Sequence, residues 1–307
     1  MKVFTKLGMA FLVVFITSGM LWSQTMDVGP KKLPVAIPSE AQFDVLFSYP
    51  IEGTYAEAGI ETDGEFIYTT SWSTGDFIKY DMDGTFVEFF TCGDASNIRD
   101  LAYDGTYFYG GAASTTVFQM DFGTQTTVSS FTAPTDCRAI AYNEDDGYFY
   151  ANNWSSDITV FDETGTFVNS WATGPEGGSY YGLAYDNYCD GTYLWGYGQV
   201  GATSNEIVQM SLPDGAETGV YWDAGTALGI TTAIAGGLAV FDHDGTTALL
   251  GNAQGEFLWG AELCGGGSGG EFCLEGLYTT GCSFGDGLIY WDFADVNVPE
   301  ILCDGVP

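Results

Sequence analysis

The chain is short of positive charge. Seven Lys and Arg stand against 41 Asp and Glu in 307 residues, giving a formal charge of −34. Such a surface repels phosphate backbones and anionic lipid, which sets nucleic acid and membrane surfaces aside as partners. The same acidity keeps an exported protein soluble. Histidine is almost missing: the single His243 argues against a Cys/His zinc site, and no C-x-x-C pair occurs among seven cysteines. Sitting in a turn, it also gives a Ser-His-Asp triad no natural seat. Neither a Gly-Lys-Ser/Thr phosphate loop nor an H-E-x-x-H helix is present. Glycosidase-like carboxylate pairs stay open, because 41 acids offer pairs anywhere. Long charge-patterned helical stretches are lacking too, and 43 glycines favour strands joined by tight turns.

Apolar runs are short. The stretch from Leu7 to Leu21 falls below the roughly 20 residues that cross a bilayer. With Lys2 and Lys6 ahead of it, residues 1–24 have the layout of a secretory signal peptide, although the closing "LWSQ" fits the small-residue cleavage rule poorly. No membrane insertion is expected once it is removed. Residues 25–42 then read as a linker. Export permits disulfides. Cys92, Cys137, Cys189, Cys264, Cys273, Cys282 and Cys303 are odd in number, so one is unpaired or pairs outside the chain, and four of them crowd the last 44 residues.

What is abundant is one phrase. "GIETDGEFIYTTSW", "LAYDGTYFYGG", "IAYNEDDGYFYANNW", "LAYDNYCDGTYLWGYG" and "LAVFDHDGTTALLGNA" each set Asp-Gly between two strand-like runs. The pairs begin at Asp63, Asp104, Asp146, Asp190 and Asp244, in steps of 41, 42, 44 and 54 residues. Asp-Gly there predicts a hairpin with a type I′ turn, positive φ at both central residues. A second hairpin follows in four repeats ("FIKYDMDGTFVEFF", "VFQMDFGTQTTVSSF", "ITVFDETGTFVNSW" and "IVQMSLPDGAETGVYW"). Four short antiparallel strands per 40 to 50 residues describe a propeller blade.

The fifth unit stops one strand short, after "EFLWGAEL" (256–263), and "FDVLFSYP" (43–50) has the form of the missing outer strand. The expectation is an all-β, five-bladed β-propeller over residues 43–263, closed by its N-terminal strand. The 54-residue step keeps six blades as the alternative. Closure removes two open sheet edges. "CGGGSGG" (264–270) reads as a flexible linker, and 271–307 as a partial Cys-rich module that the chain does not finish.

The repeated "LAYDGTY" phrase, the leader and the Cys-rich tail resemble secreted β-propeller proteins of bacteria that export surface adhesins by the type IX route. The tail's "GCSFGDGLIYW" is similar to the start of the Cys-containing adhesin-like modules that follow such propellers. The propeller part of the resemblance covers residues 43–263. The C-terminal sorting domain of that pattern has no counterpart among these residues. The resemblance implies an extracellular or cell-surface setting and an adhesive role, and it speaks to fold more than to function.

The Asp-Gly hairpins share one face of such a ring, so the more variable loops share the other, the usual place for binding. Arg99 in "IRDLAY" and Arg138 in "CRAIAY" occupy one repeat position, matched elsewhere by Ala58, Tyr181 and Gly236. Two arginines at a channel mouth can clamp a carboxylate or sulfate; the plainer reading is that each offsets acids such as Asp94 and Asp100. Trp72 and Trp154 also match, and with Asn153, Tyr180 and Tyr181 they can form a platform for sugar rings or peptide side chains. Their plainer reading is packing between blades. "DMDG" (81–84), "NEDDG" (143–147) and "DHDG" (242–245) begin a calcium ligand set without completing the loop pattern, and ordinary turn chemistry also explains them. The reading is a monomeric, non-catalytic binding or adhesion module for a glycan or extracellular protein, with no required cofactor. The alternatives are an extracellular polysaccharide lyase or hydrolase, with the arginines holding an anionic substrate, and a structural spacer in a larger surface protein.

Overall fold

A computed structural model describes residues 42–174, 178–189, 191–200 and 204–264. The expected leader, most of the expected N-terminal linker and the tail with Cys273, Cys282 and Cys303 lie outside the described residues. The described residues form five four-stranded antiparallel sheets, the blades of a β-propeller. β1 (Val45–Pro50) comes first in the chain and belongs to the last blade. Blade one is β2 (Glu57–Thr62), β3 (Phe66–Ser71), β4 (Phe77–Asp81) and β5 (Phe86–Phe90). Blade two is β6 (Ala102–Tyr103), β7 (Phe108–Gly111), β8 (Ser114–Asp121) and β9 (Thr126–Cys137). Blade three is β10 (Ala139–Asn143), β11 (Tyr148–Asn152), β12 (Ile158–Asp162) and β13 (Phe167–Trp171). Blade four is β14 (Ser179–Asp186), β15 (Tyr193–Val200), β16 (Ser204–Ser211) and β17 (Glu217–Asp223). After the short helix α1 (Ala224–Leu228), blade five is β18 (Ile234–His243), β19 (Thr246–Gln254), β20 (Phe257–Cys264) and then β1. The 54-residue step thus holds α1 and its loops rather than a sixth blade.

β1 pairs with β20 in the register Ser48 to Trp259 and Pro50 to Phe257. Phe43 N–H extends the ladder to the Glu262 carbonyl at 2.7 Å. Ring closure is also visible in the packing. Five apolar clusters fill the five blade interfaces, one of them joining Ile60, Ile67 and Tyr80 of blade one to Phe241, Leu250 and Leu258 of blade five. The period of two sets this up. Ile60, Leu101, Ile140, Leu183 and Leu238 face the preceding blade; the residues after them, Glu61, Ala102, Ala141, Ala184 and Ala239, face the next. Outer strands are wet: β13 is exposed over four of its five residues.

The expected turn is met in blade five, where Asp244-Gly245 is a two-residue loop with φ of 53° and 86°, while blades one to three differ. Gly64, Gly105 and Gly147 carry positive φ, but of the described Asp residues in these pairs only Asp244 does. Three- and four-residue loops join the first two strands of blades one to three, so Asp63, Asp104 and Asp146 stay out of the left-handed region and act through their side chains. Asp104 Oδ1 accepts from Thr106 and Tyr107 N–H at 2.7 and 2.6 Å, and Asp63 does the same for Glu65 and Phe66. Their second oxygens accept from the tyrosine five residues on, Tyr109 at 2.7 Å and Tyr68 at 3.1 Å. That pairing explains why Asp-Gly and an aromatic recur together in the phrase. The other acidic turns behave alike: Asp83 caps Thr85 N–H and Asp242 caps Gly245 N–H.

Cys189 and Cys264 form a disulfide across 75 residues, tying the fourth blade's first hairpin to the end of β20. Cys92 and Cys137 are buried thiols.

Candidate functional site on the loop face

Each inner strand turns one backbone edge to the propeller axis, where no further strand can pair with it. At the repeat position nearest the axis the chain has Gly59, Asp100, Ala139, Gly182 and Gly237. The small residues let backbones crowd: a Cβ on Gly237 would lie 2.5 Å from Asp100 Oδ1 and 2.4 Å from Ile60 N. Asp100 alone reaches across. Its Oδ2 accepts from Ile140 N–H of blade three at 3.0 Å and Leu183 N–H of blade four at 3.1 Å. Leu101 and Leu238 N–H also favour the carboxylate, without completing a hydrogen bond to Oδ1. Asp100 is fully buried, and burial holds its proton affinity well above the usual carboxylate range despite these donors.

One residue earlier stand Ala58, Arg99, Arg138, Tyr181 and Gly236, at the loop-face end of the inner strands. Arg99 and Arg138 are the only arginines in the chain. Neither forms an ion pair with a described carboxylate, since Asp100 turns to the axis instead. Each guanidinium lies over a tryptophan: Arg99 over Trp72 at 4.6 Å from the ring centre, Arg138 over Trp154 at 3.9 Å. Tyr181 is 5.9 Å from Arg138. Arg138 Nε donates to Asn153 Oδ1 at 3.0 Å, and the residue is only 8% exposed. Arg99 Nε is buried without a partner. Burial, and then the charge of Arg99, bring the Arg138 pKa down to about 10; burial also lowers Arg99.

Trp72 Nε1 donates to Gln254 at 3.3 Å, a residue at the repeat position of Trp72 in blade five. Trp154 is 45% exposed and sits at φ 58°, a left-handed backbone that a bulky side chain rarely adopts. Its carbonyl is pinned there by Asn152 Nδ2 at 2.5 Å and Tyr180 N–H at 3.2 Å.

Six of the seven residues expected from the sequence gather in this way: Trp72 with Arg99, and Arg138 with Asn153, Trp154 and Tyr181. Tyr180 does not join them on the surface. Its side chain is fully buried between blades three and four, with its ring against Gly196. Two residues were not anticipated. Tyr55, 72% exposed, meets Trp72 edge-on at 5.6 Å. Asp100 was considered only as a partner for the arginines, although an Asp at a position otherwise held by Gly and Ala is visible in the aligned repeats. A hollow of about 360 Å³, lined by residues including Asp223, Thr226 and Ile230, shares no residue with this cluster. His243 lies at the opposite hairpins, 5.1 Å from the Phe47 ring.

Neither protein-family models nor curated proteins match the chain. Among solved structures, Myxococcus xanthus glutaminyl cyclase aligns with a TM-score of 0.56 at 13% identity, over 73% of this chain and 99% of that one. At that identity the likeness carries the fold alone.

Proposed function

We propose that the chain is an exported, non-catalytic recognition module whose loop face binds a glycan or an extracellular protein in an adhesive, cell-surface setting. The supporting observation is the pair of guanidiniums stacked on tryptophans and lacking a carboxylate partner in so acidic a chain. A charged group held rigid and unneutralised is suited to meet charge on something else. Export is supported by the leader-like residues 1–24 and by the Cys189–Cys264 bridge, which suits an oxidising compartment. The test is capture from panels of glycans and extracellular proteins by the wild type and by a Trp72→Ala, Trp154→Ala variant. The expected result is a partner that the variant loses; an unchanged capture profile refutes the reading.

A second reading, an extracellular lyase or hydrolase, is favoured by Glu57. This buried carboxyl accepts from Thr69 and Tyr80 hydroxyls at 2.6 and 2.8 Å and from Gly53 N–H at 2.8 Å. Burial raises its pKa against those bonds. Turnover on polysaccharide or ester panels that disappears in Glu57→Gln supports it; no turnover by the wild type removes it.

A further inference from the structure

We propose that Arg99 and Arg138 together bind one carboxylate carried on a sugar ring, so that the loop face recognises a glycan through a terminal uronic-acid-type residue. This rests on the recognition reading above and narrows its ligand. Four observations lead there.

The first is charge without compensation. Arg138 is 8% exposed, and its only hydrogen bond to a described side chain runs from Nε to the neutral Asn153. Arg99 Nε is buried and unpartnered. Two neighbouring cations, partly stripped of water, repel one another. A single anion between them relieves both, and the flat two-oxygen carboxylate matches the fork of a guanidinium.

The second is the remainder of the chain. With a net charge of −34, the field beyond the arginines repels anions, and a polyanion or a dianionic phosphate meets more of it than a lone carboxylate does. One negative charge at the end of an otherwise neutral ligand fits best.

The third is the use of the aromatic rings. Each guanidinium takes one face of a tryptophan. Trp154 still has 45% of its surface open, and the exposed Tyr55 stands edge-on beside Trp72. Flat apolar faces beside charge suit the C–H side of a pyranose. The fourth is polar capacity. With Asn153 Oδ1 taken by Arg138, the amide Nδ2 and the half-buried Tyr181 hydroxyl remain as hydroxyl-binding groups. A ring with one apolar face, a hydroxylated edge and a carboxylate uses all of these; a peptide chain terminus uses only the arginines.

The experiment titrates the full chain with methyl glucuronoside, its methyl ester and an acetylated dipeptide bearing a free C-terminal carboxylate, read by tryptophan fluorescence and calorimetry. The expected result is binding of the glucuronoside at least about tenfold tighter than of its ester, as a lost charge-assisted pair predicts. Arg99→Gln and Arg138→Gln each weaken it about tenfold, with near-ultraviolet circular dichroism confirming the fold. Arg138→Lys, which keeps the charge and loses the fork, also weakens it. Equal binding of acid and ester overturns the inference, as does no binding of the acid up to about 10 mM, beyond the weak end of specific affinity. Tighter binding of the dipeptide also overturns it. A neutral glycan whose capture depends on Trp72 and Trp154 would leave the recognition reading standing while this inference falls.

Discussion

Removing the axial carboxyl is the sharpest perturbation of the ring. Asp100→Ala leaves Ile140 and Leu183 N–H, now bonded at 3.0 and 3.1 Å, buried without an acceptor. An orphaned buried donor costs about 1–3 kcal/mol, so the variant should lose about 2–6 kcal/mol. Asp100→Asn keeps an oxygen for both donors and should stay within about 1 kcal/mol of the wild type. Urea unfolding followed by tryptophan fluorescence measures both. The pH dependence adds a check. Because burial raises the folded-state pKa, the native protein keeps a proton that the unfolded chain, with its pKa near 3.9, has already released. Wild-type stability should therefore rise as pH falls from the folded value towards about 4, by at most about 1.4 kcal/mol per pH unit, and Asp100→Asn should lack that contribution. Asp100→Ala within about 1 kcal/mol of the wild type, or Asn as damaging as Ala, refutes the reasoning.

Other outcomes follow from the same packing. Replacing Cys189 and Cys264 by Ala frees a 75-residue span and should lower stability by about 4–5 kcal/mol on loop-closure entropy; unfolding insensitive to reductant contradicts this. Tyr180→Phe removes a buried hydroxyl that has no hydrogen-bond partner, so denaturation should show no loss, and a gain of up to about 1 kcal/mol. Glu61 stands where the other blades have Ala, and burial, opposed by Thr62 N–H, raises its pKa. Glu61→Gln should therefore stabilise the protein at neutral pH, with the wild type catching up on acidification; a destabilised variant at pH 7 counts against it.

Much of the ring is written locally. Five Asp-Gly phrases and the spare strand at 43–50 were sufficient because blades repeat and each hairpin is a short-range object. The expected turn type holds at Asp244-Gly245 and fails in blades one to three, where residues such as Asp104 work through side-chain bonds to Tyr107 N–H and Tyr109 Oη that a dipeptide does not reveal. Cys189 with Cys264 is a contact across 75 residues made by ring closure, and spacing alone cannot choose it from seven cysteines. The site was legible where repeat alignment put equivalent residues together, as with Arg99 and Arg138. It failed at Tyr180, whose position beside Tyr181 places it on the alternate face of β14 and so between blades. Asp100 needed the third dimension, since its partners lie 40 and 83 residues away.

The account turns on two aromatic-backed guanidiniums held away from every described carboxylate. With only two arginines in the chain, the Arg Nε–H region of a nitrogen–proton correlation spectrum reads them directly. The expected spectrum has two resolved signals, ring-current shifted and protected from exchange, with Trp72→Ala moving one and Trp154→Ala the other. Two coincident signals at the position of a solvent-exposed arginine, indifferent to both substitutions, would contradict it.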